Sequence, residues 1–317
     1  MAKVTRLTAG SARASARRRR SPHTAFVLSG GASLGALQVG MLRAMYERGI
    51  VADLMIGTSV GALNAAFVAS RPQRVATAKE LARVWRSLQR DDLFPVSART
   101  LVNGLCGRCD HLIPDRGLRR LVAQHIEFDD IAEAPIPLHV VAFDVSEGRE
   151  VLLSKGPALD VIAATAAIPG VLPSVRMGDR HLIDGGVVNN TPISHAIALG
   201  AERIYVLPTQ ERQPAPDAAP RGAFAAGING LTLLMDRRLE LDVARYSSEA
   251  ELIVLPAPNP LRVQPIDFEH SSRLIRDALT AAHALLARTG TSSTPGAYSG
   301  PIARRASTEL AGETASL

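Results

Sequence analysis

Asp53-Leu54-Met55-Ile56-Gly57-Thr58-Ser59-Val60-Gly61-Ala62-Leu63-Asn64-Ala65-Ala66 is the stretch on which the fold turns. A short apolar run, 53–56, reads as a buried strand. The small apolar run 60–70 reads as a buried helix, and Gly-x-Ser-x-Gly lies between them. Upstream, Thr24–Ser29 (TAFVLS) is a second buried strand, followed by a glycine-rich loop, Gly30–Gly35. Apolar spacing then predicts a helix over 34–48, ending at Gly49 as a C′ residue. Strand–helix–strand–helix at the start of a chain points to parallel pairing. Helices are expected over 74–90, 115–125, 157–167, 192–199, 223–246 and 270–287. Strands are expected over 137–144, 150–153, 174–183 (a strand or hairpin), 203–207 and 251–255. The fold class is α/β, a three-layer α/β/α sandwich with a mostly parallel central sheet.

A serine at a sharp strand-to-helix turn stands exposed in a strained conformation, and Gly57 and Gly61 let strand and helix close without Cβ clashes. The new helix aims its first N–H groups at developing negative charge. Ser59 is therefore the candidate nucleophile. The competing reading is a tight turn with Ser59 as a helix cap.

Ser29-Gly30-Gly31-Ala32-Ser33-Leu34-Gly35 does not fit a dinucleotide fingerprint, because Ala32 stands where its second glycine belongs. No Gly-Lys-Ser/Thr follows, so it is not a phosphate-binding P-loop either. Adjacent glycines let backbone N–H groups converge, so Gly30, Gly31 and Ala32 are the candidate oxyanion donors, with Gly35 opening the helix. Strands ending near 29 and 57 would set this loop beside Ser59 if they pair as neighbours. A plain glycine-rich turn is the alternative.

A serine nucleophile needs a base. Asp184 ends a predicted strand in Ile183-Asp184-Gly185-Gly186-Val187-Val188-Asn189-Asn190-Thr191-Pro192. Gly185 and Gly186 remove bulk where another backbone must come close. A carboxylate acting directly on the serine gives a two-residue dyad, and partial burial should raise its pKa. The alternatives are an Asp-Gly turn, or a Ser-His-Asp triad drawing on His195 or His270.

The 317 residues include 46% hydrophobic and 21% charged residues, enough for a packed core. No apolar run approaches a membrane span. Of the 36 basic residues, seven lie in 1–23 with no acid, which leaves 29 basic against 30 acidic residues. The body is thus near neutral and no nucleic-acid surface is expected; 4% aromatics is too few for base stacking. Residues 1–23 read as a disordered basic arm, with no secretory signal, and 289–317 as a disordered tail around a domain at 24–288.

Taken together, the blocks resemble the patatin-like phospholipase family. SGGASLGALQVG is similar to the family's oxyanion element and GTSVGALNAA to its nucleophile elbow. ATAAIPGVLPSV (164–175) resembles the block ahead of the aspartate, and DGGVVNNTP the Asp-Gly-Gly/Ala motif. The resemblance implies a patatin-like fold and a serine lipid acyl hydrolase with Ser59 as nucleophile and Asp184 as base. It implies a lipid or acyl-ester substrate and no cofactor or metal. The family loop often reads Gly-Gly-Gly-x-Arg/Lys-Gly; here Ala32 and Leu34 replace a glycine and the cation. If that cation meets phosphate, its loss shifts the expectation toward a neutral ester, lysolipid or acyl-thioester. A non-catalytic lipid-binding relative is the reading from another class. Cytoplasmic placement is expected, with acyl chain, headgroup and oligomeric state left open.

Cys106-Gly-Arg-Cys109-Asp-His111 has metal-like spacing but no second ligand pair, and reads as a loop with two ordinary thiols. Two regions are candidates for contact with lipid. Segment 91–114 mixes apolar residues with turn formers, as a lid would. The 223–242 helix has a stripe of Phe224, Ile228, Leu231, Leu234 and Leu241. Packing on the sheet is the preferred reading of both. Peripheral membrane contact through the basic arm is a further option; a solvated tail is preferred.

Overall fold

The computed structural model describes residues 23–95, 97–210, 230, 237–258, 263 and 266–289. The chain opens with β1 (Thr24–Leu28), a 3₁₀ turn (Ala32–Gly35), α1 (Ala36–Glu47), β2 (Leu54–Thr58) and α2 (Val60–Ala69). Next come α3 (Val75–Ser87), α4 (Arg90–Leu93), α5 (Ala98–Leu105), α6 (Arg116–His125), β3 (Leu138–Asp144) and β4 (Arg149–Leu153). Helix α7 (Ala158–Thr165) leads to the hairpin β5 (Val175–Met177) and β6 (Arg180–Asp184), then α8 (Gly186–Asn189) and α9 (Ile193–Ala198). Strand β7 (Arg203–Leu207), helix α10 (237–246), β8 (Glu251–Val254) and α11 (Ser271–Thr289) complete the described elements.

The sheet order is β5-β6-β3-β2-β1-β7-β8, with β4 also on β3. Strands β3, β2, β1, β7 and β8 form a parallel block, to which β4 and β6 add antiparallel. Alternation along these strands sends side chains to two cores. Phe26, Leu28, Met55, Tyr205 and Leu207 face the core under α1, α2, α3 and α11. Ala25, Val27, Ile56, Ile204 and Val206 face a smaller core under α9 and α10. Both faces are covered, which is why the strands are apolar throughout. Helix α1 crosses α11 so closely that a Cβ on Gly40 would lie 2.3 Å from the Ile275 carbonyl oxygen.

Strand β3 has three neighbours, and this sets the site. Val140 and Val141 pair with both β2 and β4; Ala142 to Asp144 pair with both β6 and β4. A strand has two edges, so β2 and β6 share one of them. Thr58, the end of β2, sits opposite Val141; Asp184, the end of β6, sits opposite Ala142. The two carboxyl ends meet head to head.

Three expectations change. The helix read from 34 begins as a 3₁₀ turn, because Ala32 adopts φ 49° and the α-helical ladder starts only at Ala36. Segment 91–114, where no helix is expected, holds most of α4 and all of α5. Leu241 does not pack on the sheet: it is 54% exposed, while Leu239 and Val243 fill the core of α10. Phe224, Ile228, Leu231 and Leu234 lie outside the described residues, as do 1–22 of the arm expected over 1–23 and 290–317 of the tail expected over 289–317; Thr289 instead closes α11. Among the described residues no helix is long and apolar enough to cross a membrane.

Candidate active site

Strands β1 and β2 run parallel with Leu28 opposite Gly57, so the glycine loop and the elbow emerge side by side. Ser59 holds φ 54° and ψ −126°, a region L-residues avoid at a cost of about 1–3 kcal/mol. Its side chain makes no cap bond, against the helix-cap alternative. Surrounding structure enforces the turn. The Ser59 N–H donates to Thr165 Oγ1 at 2.8 Å, and that hydroxyl donates on to Val141 O at 2.5 Å. The Ser59 carbonyl accepts from Ala62 and Leu63. A Cβ on Gly57 would lie 2.5 Å from the Ala62 backbone, and one on Gly61 2.2 Å from Leu28 O. Both glycines are required by backbone approach.

Asp184 is buried, and its carboxyl lies within hydrogen-bonding reach of the Ser59 hydroxyl. Its N–H donates to Ala167 O, and its Oδ1 accepts from the Gly186 N–H at 2.7 Å. Burial pushes its carboxyl up from an ordinary 3.8 to about 6; the Gly186 N–H and the Ser59 hydroxyl pull the other way. Gly185 passes over β3, where a Cβ would lie 2.5 Å from Val141 O. Val141 is thus the common neighbour of Thr58, Thr165 and Gly185.

The glycine loop is braced at both ends. Gln38 Nε2 donates to Ser29 O and Leu207 O; Asn64 Nδ2 donates to Gly35 O and Gln38 Oε1. Trp85 Nε1 donates to Asn64 Oδ1 and closes this buried network. The Gly30 N–H is committed to Asn190 O at 3.2 Å. The expectation that all three loop amides converge on one point therefore narrows: Gly31 and Ala32 are the ones without a partner among the described residues. A Cβ on Gly30 would lie 3.1 Å from Ser59 Cβ, so the loop rests against the serine. Gly35 packs against Val60 and Trp85 in the same manner. Leu34 is buried in the core under α1 and is not on the cleft wall.

In front of Ser59 and Ala32 lies a cleft that is partly open to solvent. Leu93, Phe94, Leu118, Ile168, Leu172 and Phe268 line it. Among the described residues the walls carry no ionisable side chain, so the cleft suits an acyl chain rather than a charged group. Leu93 and Phe94 come from segment 91–114, for which a lid is the less favoured expectation beside packing on the sheet.

Ser59, Asp184 and the loop come together; the other candidates do not. His195 Nε2 bonds Glu150 Oε1 at 2.5 Å, and His270 Nδ1 bonds Asp267 Oδ2 at 3.0 Å. No histidine bonds Ser59 among the described residues. The Cys109 thiol donates to His111 O, the His111 ring bonds Asp110, and Cys106 is an exposed free thiol. Sequence reasoning missed Gln38, Asn64, Thr165 and Thr209. The first two had a signal, a lone polar residue inside an otherwise apolar helical run; the threonines had none.

The fold and this site define a covered, mostly parallel α/β sheet whose strand–helix serine faces a buried carboxylate. The family model described as patatin-like phospholipase matches residues 26–197, and the chain belongs to that family. It is 27% identical over 67% of its length to lysophospholipase NTE1 of Mycosarcoma maydis, covering 11% of that protein. It is 27% identical to patatin-like phospholipase domain-containing protein 7 of Mus musculus, over 67% of this chain and 15% of that one. An uncharacterized NTE family protein of Mycobacterium tuberculosis is 31% identical over 52% of this chain, which covers 27% of it. The chain thus spans well under a third of these relatives. Among solved structures, human GIVD cytosolic phospholipase A2 aligns over 84% of this chain and 62% of its own, with TM-score 0.45 and 12% identity.

Proposed function

We propose that this chain is a serine lipid acyl hydrolase that cleaves carboxylic esters through Ser59 and Asp184. The observation that carries the reading is the strained Ser59 set beside a buried carboxylate whose proton affinity burial raises. Asp184 takes the hydroxyl proton as Ser59 Oγ attacks the ester carbonyl carbon. The resulting oxyanion is held by the Gly31 and Ala32 N–H groups, and Gly30 acts sterically by bringing the loop onto the serine. Collapse breaks the ester bond; the departing alcohol takes the proton from Asp184 and an acyl-enzyme remains. Water then attacks this acyl group, gives its proton to Asp184, and the acid leaves as Ser59 recovers it. The apolar cleft takes the acyl chain, and its neutral walls favour substrates whose charged part stays outside, lysolipids among them.

The test is release of p-nitrophenol from acyl esters by wild type, Ser59→Ala and Asp184→Asn. Both substitutions should cost at least ~10³-fold in kcat. His195→Ala and His270→Ala should retain turnover. Activity surviving in Asp184→Asn but lost in a histidine variant would replace the dyad with a triad. Tight lipid binding without turnover by wild type would favour a binding module.

A further inference from the structure

The Gly30 peptide group is gripped on both sides. Its N–H donates to Asn190 O at 3.2 Å. Its carbonyl oxygen accepts Thr209 Oγ1 at 2.5 Å and Asn190 Nδ2 at 3.3 Å. A carbonyl oxygen has two lone pairs, so both are in use. The glycines allow the grip to close: a Cβ on Gly30 would lie 2.4 Å from Asn190 Oδ1, and one on Gly31 2.2 Å from Thr209 Oγ1. Thr209 is 2% exposed.

In a trans peptide the carbonyl of one residue and the N–H of the next point in opposite directions within one plane. Holding the Gly30 carbonyl toward Thr209 and Asn190 therefore turns the Gly31 N–H away from them. That N–H has no partner among the described residues, and the next residue, Ala32, lines the cleft with Ser59. We propose that Asn190 and Thr209 are positioning residues, a clamp on the Gly30 carbonyl that aims the Gly31 N–H at the oxyanion. The inference rests on the hydrolase reading above. It gives Asn190 of the aspartate motif a task. It also brings in Thr209, which follows β7 and lies beyond the matched family region, 26–197.

An aiming role changes the transition state more than the bound substrate. The experiment compares wild type with Thr209→Val, Thr209→Ser and Asn190→Ala on one p-nitrophenyl ester. Each protein is also titrated with an alkyl trifluoromethyl ketone, which adds the serine to give a tetrahedral oxyanion, and with the matching secondary alcohol, which cannot. Thr209→Val should lower kcat about 10- to 100-fold, less than the loss of a donor itself, with KM changed less than about twofold. Affinity for the ketone should fall by a similar factor and affinity for the alcohol should hold. Asn190→Ala should show the same split, and Thr209→Ser should recover most of what Thr209→Val loses. Wild-type kcat and ketone affinity in Thr209→Val would overturn the clamp. So would equal loss of ketone and alcohol binding, or a loss that Thr209→Ser fails to rescue, since either marks a merely structural role. Wild type without Ser59-dependent turnover would overturn the hydrolase reading itself, and the clamp with it.

Discussion

Replacing Asp184 by asparagine should stabilise this protein at neutral pH, and the gain should vanish in acid. Burial raises the Asp184 carboxyl from 3.8 to about 6 in the folded chain, against the pull of the Gly186 N–H and the Ser59 hydroxyl. Between these two values the folded state keeps a proton that the unfolded chain has released. Stability must then fall as pH rises through this window, because the native state binds more protons than the unfolded one. Above about pH 6 the loss is complete, and it amounts to about 3 kcal/mol. Asparagine has a similar shape, its Oδ1 can still accept from Gly186, and it carries no charge. The advantage of Asp184→Asn in urea denaturation should therefore grow from near zero at pH 4 to about 3 kcal/mol at pH 8. The same ionisation governs turnover: wild-type kcat/KM should drop tenfold per pH unit below about 6. A stability difference that is flat between pH 4 and 8, or that favours aspartate at high pH, would refute the burial argument. An acid limb of kcat/KM centred near 4 would do the same. If both trends appear, the base of the site is held in its active form at a direct cost to the fold.

Other outcomes follow from local geometry. Gly61→Ala and Gly57→Ala should lower stability by more than about 3 kcal/mol or abolish soluble expression, since backbone rather than flexible side chain meets the new Cβ. Gly107→Ala, with positive φ but open space around it, should cost only about 1–2 kcal/mol by denaturation. Ala32→Gly relieves a φ of 49° at the price of a looser unfolded chain; stability should be unchanged or rise by up to about 1 kcal/mol. Leu172→Trp should fill the cleft, cutting kcat/KM for long acyl esters at least ~10-fold while leaving butyrate within about twofold.

Apolar strand runs and the small-residue helix α2 made the parallel sheet legible from the sequence alone, because burial on both faces demands them. Gly57, Gly61 and Gly185 were legible too: each marks a backbone crossing that no side chain survives. Ser59 followed from its place between strand and helix, and Asp184 from its place at a strand end. What the sequence could not supply was the meeting of Ser59 with Asp184, 125 positions apart. That meeting depends on β2 and β6 sharing one edge of β3, a long-range pairing without local pattern. Nor could it assign Thr165 and Thr209, since one buried threonine looks like any other until a backbone group is placed against it. Glycine spacing offers the Gly30 amide as a donor to the site because it reports only that backbone can come close. Which neighbour takes each N–H is decided by the chain that folds across it, here Asn190, and only the tertiary structure contains that partner.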